Sequence, residues 1–328
     1  MTLHLLSIGS SHPSNCIDNK FLEDLGIDSD SEWITAKLGI DTRYSVLPLD
    51  YIKDTKNKDP LKAIELVEKT PVQMAVEASV KALEKINLSA DDIGLVICNT
   101  CTPYNLSPTT SSSIAKELKI TAPTYDVFTA CPAFALHNHY LNLFKNDKLP
   151  DYILCISTAT LTARVDYTNR SDSAIWGDAA AAWIISTKKE GKLKLIDSNF
   201  NANPQRSNAV VIDTFDYFKQ DGRAVRDFSV RQTVRMIKDF EKRYDLNWER
   251  DKFIGHQANG TMLEQIRKNR KVPHQNHFTN VKVRGNQAAA GSACALAENW
   301  DKLNTKDNLV IAVLGAGLSW SANLFEVL

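Results

Sequence analysis

The chain has no surplus of charge of either sign: 39 lysines and arginines balance 39 aspartates and glutamates across 328 residues. No global field is available to hold a polyanion, which argues against a nucleic-acid binder. It also has no long hydrophobic run. Nothing approaches the roughly 18 apolar residues that span a bilayer, and the opening stretch MTLHLLSIGSSHPSN carries no basic leader before an apolar core. Neither membrane insertion nor a secretory signal is expected, and a cytoplasmic location is. Cysteine is scarce: six (Cys16, Cys98, Cys101, Cys131, Cys155 and Cys294) make no disulfide scaffold in so long a chain and fit a reducing compartment. No Pro/Gly/Ser-rich linker divides the sequence, so any domains share an interface without a tether. The main polar interruption, Leu47 to Pro71, predicts a surface excursion with a short helical stretch.

What is present is ordinary soluble composition, 43% hydrophobic and 24% charged, in a length that makes one large domain or two medium ones. Short β-branched runs alternate with segments of helical period. A helix from near Gln73 to Ile86, a strand over 93–100, a helix over 111–118, a short strand ending at 126–128, a helix over 134–144 and a strand over 151–158 follow in turn. The second half repeats the order: a helix over 230–243, the strand KFIG (252–255), a helix over 262–269, a strand ending near Val283, a small-residue helix over 288–298 and the strand NLVIAVLG (308–315). The alternation predicts an α/β fold with a largely buried sheet. Laid on one another, the halves match Asp92 with Asp251, Cys131 with Asn286 and DYILCIST with DNLVIAVL at nearly equal separations, which suggests a duplicated unit. A chance echo of any α/β chain is the alternative.

Cys131, in TYDVFTACPAFALHNHYL, stands where a strand signal ends and a helical pattern begins. A thiol there faces the positive end of a helix dipole, which predicts a pKa lowered toward the thiolate; a buried structural thiol is the plain alternative. His256, in KFIGHQANGTML, and Asn286, in VKVRGNQAAAG, occupy the same kind of position. Singly they read as a packed histidine and a turn residue. Together, at the C-terminal ends of strands, they read as a site, because open α/β sheets place ligands there.

These residues lie in motifs that carry a family likeness: SEWITAKLGIDTR (31–43), DVFTACPAF (126–134), WGDAAAAW (176–183), GHQAN (255–259), RGNQAAAGSACAL (284–296) and LGAGLSW (314–320). In these motifs and their order the chain resembles the β-ketoacyl-ACP synthase III group of the thiolase-like condensing enzymes. The resemblance implies a duplicated, five-layered αβαβα thiolase-like fold, with an N-terminal half (1–188) bearing nucleophilic Cys131 and a C-terminal half (189–328) bearing His256 and Asn286, in a homodimer. It implies acyl loading of Cys131 from a thioester, then decarboxylative Claisen condensation with a malonyl-type thioester held by His256 and Asn286, in fatty-acid or polyketide-type biosynthesis. It places an oxyanion hole on the backbone of Cys131 and Gly317, and coenzyme A contacts on Trp33, Lys37 and Arg170. Lys37 stands where an arginine is common in the family.

No cofactor is implied; the thioesters of coenzyme A or of an acyl carrier protein are substrates. An acidic carrier needs a basic dock, for which Arg267, Lys268, Arg270 and Lys271 are the candidates, although Thr261 stands where the family often has a basic contact. Pro132 and Ala133 replace a small residue and a glycine after the nucleophile, and proline is tolerated at the start of a helix.

Other readings stay open. Within the fold, the acyl group could pass to an oxygen, nitrogen or sulfur acceptor without decarboxylation. Cys131, His256 and Asn286 also follow the papain order of a cysteine hydrolase, without its flanking signature. A non-catalytic partner subunit is a further alternative, against which the retention of all three residues speaks. Cys98 and Cys101 form a lone CxxC with no second pair, and His137, His139, His274 and His277 share no convincing ligand spacing, so no metal is expected.

Overall fold

The computed structural model describes residues 2–144, 148–213 and 216–328, the Ser171 side chain excepted. The first half carries β1 (His4–Ser11), β2 (Asn15–Asp18), β3 (Thr42–Ser45), β4 (Leu95–Thr100), β5 (Thr124–Asp126), β6 (Ile153–Ala159) and β7 (Ala179–Ser186). The second carries β8 (Leu193–Ala202), β9 (Val210–Ile212), β10 (Phe218–Gln220), β11 (Lys252–Gly255), β12 (Asn308–Gly315) and β13 (Ser319–Val327). Between them run α1 (Asn19–Asp24), α2 (Ser31–Leu38), α3 (Leu49–Thr55), α4 (Pro60–Glu65), α5 (Pro71–Glu84), α6 (Thr110–Leu118), α7 (Ala133–Leu143) and α8 (Arg170–Ser173). Then come α9 (Gly222–Arg243), α10 (Gly260–Arg270), α11 (Val281–Arg284) and α12 (Gly291–Glu298). Among the described residues, no helix is long and apolar enough to cross a membrane.

The main sheet runs β11-β12-β13-β8-β1-β7-β6-β4-β5. Its two ends have the same design. β4 is parallel to β6, which is antiparallel to β7, which is antiparallel to β1; β11, β12, β13 and β8 repeat those relations in that order. The halves join at two residue pairs, His4 with Lys194 and Leu5 with Leu193. α5 and α6 cover the outer face of the first half-sheet, α9 covers that of the second with α10 packed on it, and α7 and α12 lie between the half-sheets. This is the duplicated, five-layered αβαβα thiolase-like fold.

Local chemistry explains the layers. α5 starts with Pro71 and a reciprocal capping box between Thr70 and Gln73, and it buries one stripe of Met74, Ala75, Ala78 and Ala82. α7 and α12 have no polar stripe at their starts: Ala133 to Asn138 and Gly291 to Leu296 are buried throughout, as a helix enclosed on every side requires. β6 and β7 are buried at every position because both of their faces are covered.

Three expectations need correction. The strand expected to end near Val283 is a single bridge between Phe253 and His277, followed by the one-turn helix α11. The β-branched run there is held by other partners: Asn280 N–H and Val281 N–H donate to Gln257 Oε1, while Lys282 O and Val283 O accept from Asp41 N–H and Thr42 Oγ1. The Asp92–Asp251 match is two residues out of register. Leu95 pairs with Ile153 and Lys252 with Leu309, so Gly94 occupies the place of Asp251. Asp92 closes the exposed Ser89 turn, whereas buried Asp251 accepts from Asn308 N–H at 2.8 Å. Finally, the 47–71 excursion forms α3 and α4 and sends Ile52, Asn57 and Ala63 fully into the interior, with Asn57 Nδ2 donating to Val165 O at 2.8 Å.

Candidate active site

Cys131 sits in the turn between β5 and α7. Ala130 before it is left-handed (φ 52°), and Pro132 caps α7 with its carbonyl accepting from Leu136 N–H at 2.9 Å. The last loop presses against this turn. A Cβ added to Gly315 would lie 2.9 Å from Cys131 N and 2.5 Å from Pro132 Cδ, so only glycine permits the approach. Among the described residues, no backbone carbonyl accepts from Cys131 N–H or Ala316 N–H, which leaves two backbone donors on residues that line the same cavity.

His256 follows β11 and is buried, and among the described residues its Nδ1 has no partner. Burial lowers its pKa to about 4, so the imidazole is neutral around pH 7. Gln257 ties this loop to the next: its Nε2 donates to Gly255 O at 2.8 Å and its Oε1 accepts from Thr279 Oγ1 at 2.7 Å and from Asn280 N–H at 3.0 Å. Asn286 follows Gly285, whose φ of 68° and ψ of −168° suit glycine alone. Asn286 Oδ1 accepts from Ala288 N–H at 3.0 Å, which orients the amide and leaves Nδ2 as its free donor. Its backbone is bridged to Trp176 through Ile175 O and Gly177 N–H.

The three side chains line one cavity of about 350 Å³. Its walls are mostly apolar, with Trp176, Phe218, Phe228 and Leu314 among them, and Trp33 and Lys37 also line it. Burial, with a smaller push from neighbouring Cys101, raises the Cys131 thiol instead of lowering it. The expected helix-dipole effect is outweighed by desolvation. The resting site is therefore a neutral thiol beside a neutral imidazole, and the thiolate forms only as its proton is removed. A neutral imidazole and a primary amide facing one space can also hold an oxyanion.

Two stretches of the chain match family models, residues 125–204 that of 3-oxoacyl-[acyl-carrier-protein] synthase III and residues 247–327 that of its C-terminal part. The β-ketoacyl-[acyl-carrier-protein] synthase III of Porphyra umbilicalis is 29% identical over 98% of both chains, and that of Aquifex aeolicus is 26% identical over 99% of this chain and all of its own. The chain belongs to the β-ketoacyl-ACP synthase III-like condensing enzymes of the thiolase superfamily. The same fold is found in the crystal structure of the Aquifex aeolicus synthase, with a TM-score of 0.85, 24% identity and 99% of each chain covered. The priming β-ketosynthase of the R1128 polyketide pathway shares it too, with a TM-score of 0.83, 22% identity and coverage of 99% and 96%.

The remaining expected residues of this condensing enzyme fall into place unevenly. Arg170 lies on the Trp33 ring, 4.2 Å from its centroid, and within 3.7 Å of Asp28. A purine stacked between them needs the pair opened to roughly 7 Å, twice a van der Waals contact. Gly317 does not line the cavity, whereas Gly315 and Ala316 do. Of the basic cluster, Arg267 clasps Glu264 with two bonds of 2.7 Å and donates to Val272 O, and Arg270 is paired with Glu241. Their side chains are 17% and 18% exposed. Lys268 (71% exposed, 3.5 Å from Glu264) and Lys271 point outward, and none of the four lines the cavity. Thr261 has a structural bond, its Oγ1 donating to Lys37 O at 2.9 Å and tying α10 to α2.

Sequence reasoning missed Gly315, Ala316, Gln257 and the Trp176 bridge. LGAGLSW and WGDAAAAW marked the right segments, but spacing alone does not say which residue of a tight turn meets the sulfur.

Proposed function

We propose that the chain is an acyltransferase that joins a Cys131-bound acyl group to a malonyl-type thioester by decarboxylative Claisen condensation, in fatty-acid or specialised polyketide-type biosynthesis. The observation that carries this reading is the convergence of Cys131, His256 and Asn286 on one apolar-walled cavity. Cys131 loses its proton as its sulfur attacks the acyl thioester, the leaving thiol takes up a proton, and an acyl-Cys131 thioester remains. The backbone N–H groups of Cys131 and Ala316, in place of the Gly317 donor expected from the family, hold the oxyanion of that step. A malonyl thioester then loses CO2 while His256 and Asn286 Nδ2 donate to the enolate oxygen, each donor contributing roughly 10²–10³ in rate. The enolate carbon attacks the acyl carbonyl, and Cys131 departs as thiolate and is reprotonated.

The substrates are thioesters of coenzyme A or of an acyl carrier protein, and no cofactor takes part. Trp33, Lys37 and Arg170 receive the coenzyme A head, and the exposed Lys268 and Lys271 lead the carrier-protein contact, with Arg267 and Arg270 shaping the surface around them. The enzyme is cytoplasmic and homodimeric, with residues 1–188 and 189–328 as its two related halves. β5 ends the sheet, and beside it Phe128 is 70% exposed, with Leu143 and Phe144 also exposed. A second copy of the chain would cover this edge.

Acyl and malonyl thioesters are offered together while the mass of Cys131 and the release of CO2 are followed. A loaded Cys131 and CO2 in step with β-ketoacyl product are expected. Loading followed by transfer to an alcohol or amine without CO2 would replace this reading with simple acyl transfer.

A further inference from the structure

Arg43, at the end of SEWITAKLGIDTR, has no role in the reaction described so far. It is 1% exposed, and among the described residues no carboxylate pairs with it. A buried guanidinium without a counter-ion is costly, so its neutral partners matter. Nη1 donates to Asn19 Oδ1 at 2.7 Å and to Ile17 O at 3.4 Å, Nη2 donates to Ala174 O, and Nε is buried with no partner among the described residues. Burial lowers its pKa to about 10, still well above neutrality, so the group stays cationic.

Ala174 opens the stretch that holds Asn286. Asn286 N–H donates to Ile175 O at 2.7 Å, and Gly177 N–H donates to Asn286 O at 3.0 Å. The Arg43 stem lies under the same bridge: its Cβ would be 2.8 Å from a Cβ built on Gly285 and 3.4 Å from one built on Gly177. The residues before it fasten the other approach to Asn286, with Asp41 N–H on Lys282 O and Thr42 Oγ1 on Val283 O, both at 2.7 Å.

We infer that Arg43 is a positioning residue for Asn286: by clamping Ala174 O it fixes the Ala174–Gly177 backbone and hence the direction of Asn286 Nδ2. The inference rests on Asn286 serving the enolate in the proposed condensation. A lysine would keep the charge but not the planar fork that reaches Asn19, Ile17 and Ala174 together. Arg43 therefore acts on the decarboxylation step and leaves Cys131 loading alone.

The test separates those steps. For Arg43→Lys, loading of Cys131 by an acyl-CoA is timed by intact mass, and malonyl-CoA decarboxylation is timed by CO2 release, with thermal unfolding followed in parallel. Loading near the wild-type rate and decarboxylation slower by about 10²-fold are expected, the usual effect of a misplaced group of about 1 Å. In an Asn286→Ala background the same substitution adds nothing further. An equal fall in both steps, or a full additional fall in that background, overturns the inference by reducing Arg43 to a structural residue. Should Arg43→Lys not fold, Asn19→Ala removes one acceptor of the fork; a selective fall in decarboxylation supports the inference and unchanged decarboxylation overturns it. Wild-type protein that neither loads nor releases CO2 would overturn the condensation reading instead.

Discussion

Gly315→Ala puts a single methyl group between the last loop and the nucleophile. The new Cβ would stand 2.5 Å from Pro132 Cδ, 2.9 Å from Cys131 N and 3.1 Å from Cys131 Cβ. Ordinary carbon contacts begin near 3.5 Å, so Pro132 must retreat by about 1 Å. It has little room to do so, because its ring fixes φ and α7 behind it is buried from its first residue. The displacement falls on Cys131 and on the backbone donors beside it. A shift of that size lowers a rate by about 10²-fold, or roughly 2.7 kcal/mol of barrier, while overpacking costs about 1–3 kcal/mol of stability. The assay is the rate at which an acyl-CoA adds mass to Cys131, at a temperature where circular dichroism shows the variant folded. Gly222→Ala is the control: it lines the same cavity, yet its Cβ would meet nothing within 4 Å, and it loads like wild type. A folded Gly315→Ala protein that loads at the wild-type rate would refute the claim that this approach sets the sulfur's position.

His256→Ala and Asn286→Ala each slow malonyl-CoA decarboxylation by roughly 10²–10³ while Cys131 still acquires an acyl mass; loss of loading in both would show that the pair serves the first step instead. His256, with its pKa lowered to about 4, is neutral down to that pH, so decarboxylation by folded enzyme shows no inflection between pH 6 and 7 in a stopped-flow pH series. The unfolded chain binds a proton near pH 6.5, so buried His256 and His277, both near 4, each withdraw about 1.4 kcal/mol of stability per pH unit as pH falls from 6.5 toward 4, visible as a falling urea midpoint. Charge reversal at Lys268 and Lys271 raises KM for a carrier-protein substrate in low salt and leaves the thermal midpoint within about 1 °C, whereas Arg267→Ala lowers that midpoint because it frees Glu264, whose pKa the pair holds at about 2.

The parts of the molecule legible in the sequence are those with a strong local signal. KFIG and NLVIAVLG are strands over the residues expected, because a run of apolar side chains buried on both faces has one local solution. Cys131 and His256 were readable because each follows a strand and falls in a distinctive motif; Asn286, which follows the one-turn helix α11, was readable from its motif alone. The strand near Val283 was misread because Val281 and Val283 have good β propensity, while their backbone is held by Gln257, Asp41 and Thr42 from distant parts of the chain. The thiol's pKa was misread for a related reason: the helix start is local and visible, whereas the burial that overrides it comes from parts of the chain distant in sequence, the last loop among them, with a smaller electrostatic push from Cys101. The basic run 267–271 looked like a free patch because Glu241, the partner of Arg270, lies a helix away in sequence.

α7 belongs to the first half yet packs on β8 and β13, and α12 belongs to the second yet packs on β1 and β7. Each repeat thus shields the other's central helix, so neither has a finished interior by itself. The two half-sheets are therefore mutually dependent, and a severed half would leave an apolar helix facing water. Contacts this distant in sequence slow folding. The nucleophilic turn ahead of α7 and the amide turn ahead of α12 thus both rest on helices seated against the other half's strands, and neither half by itself carries a complete centre.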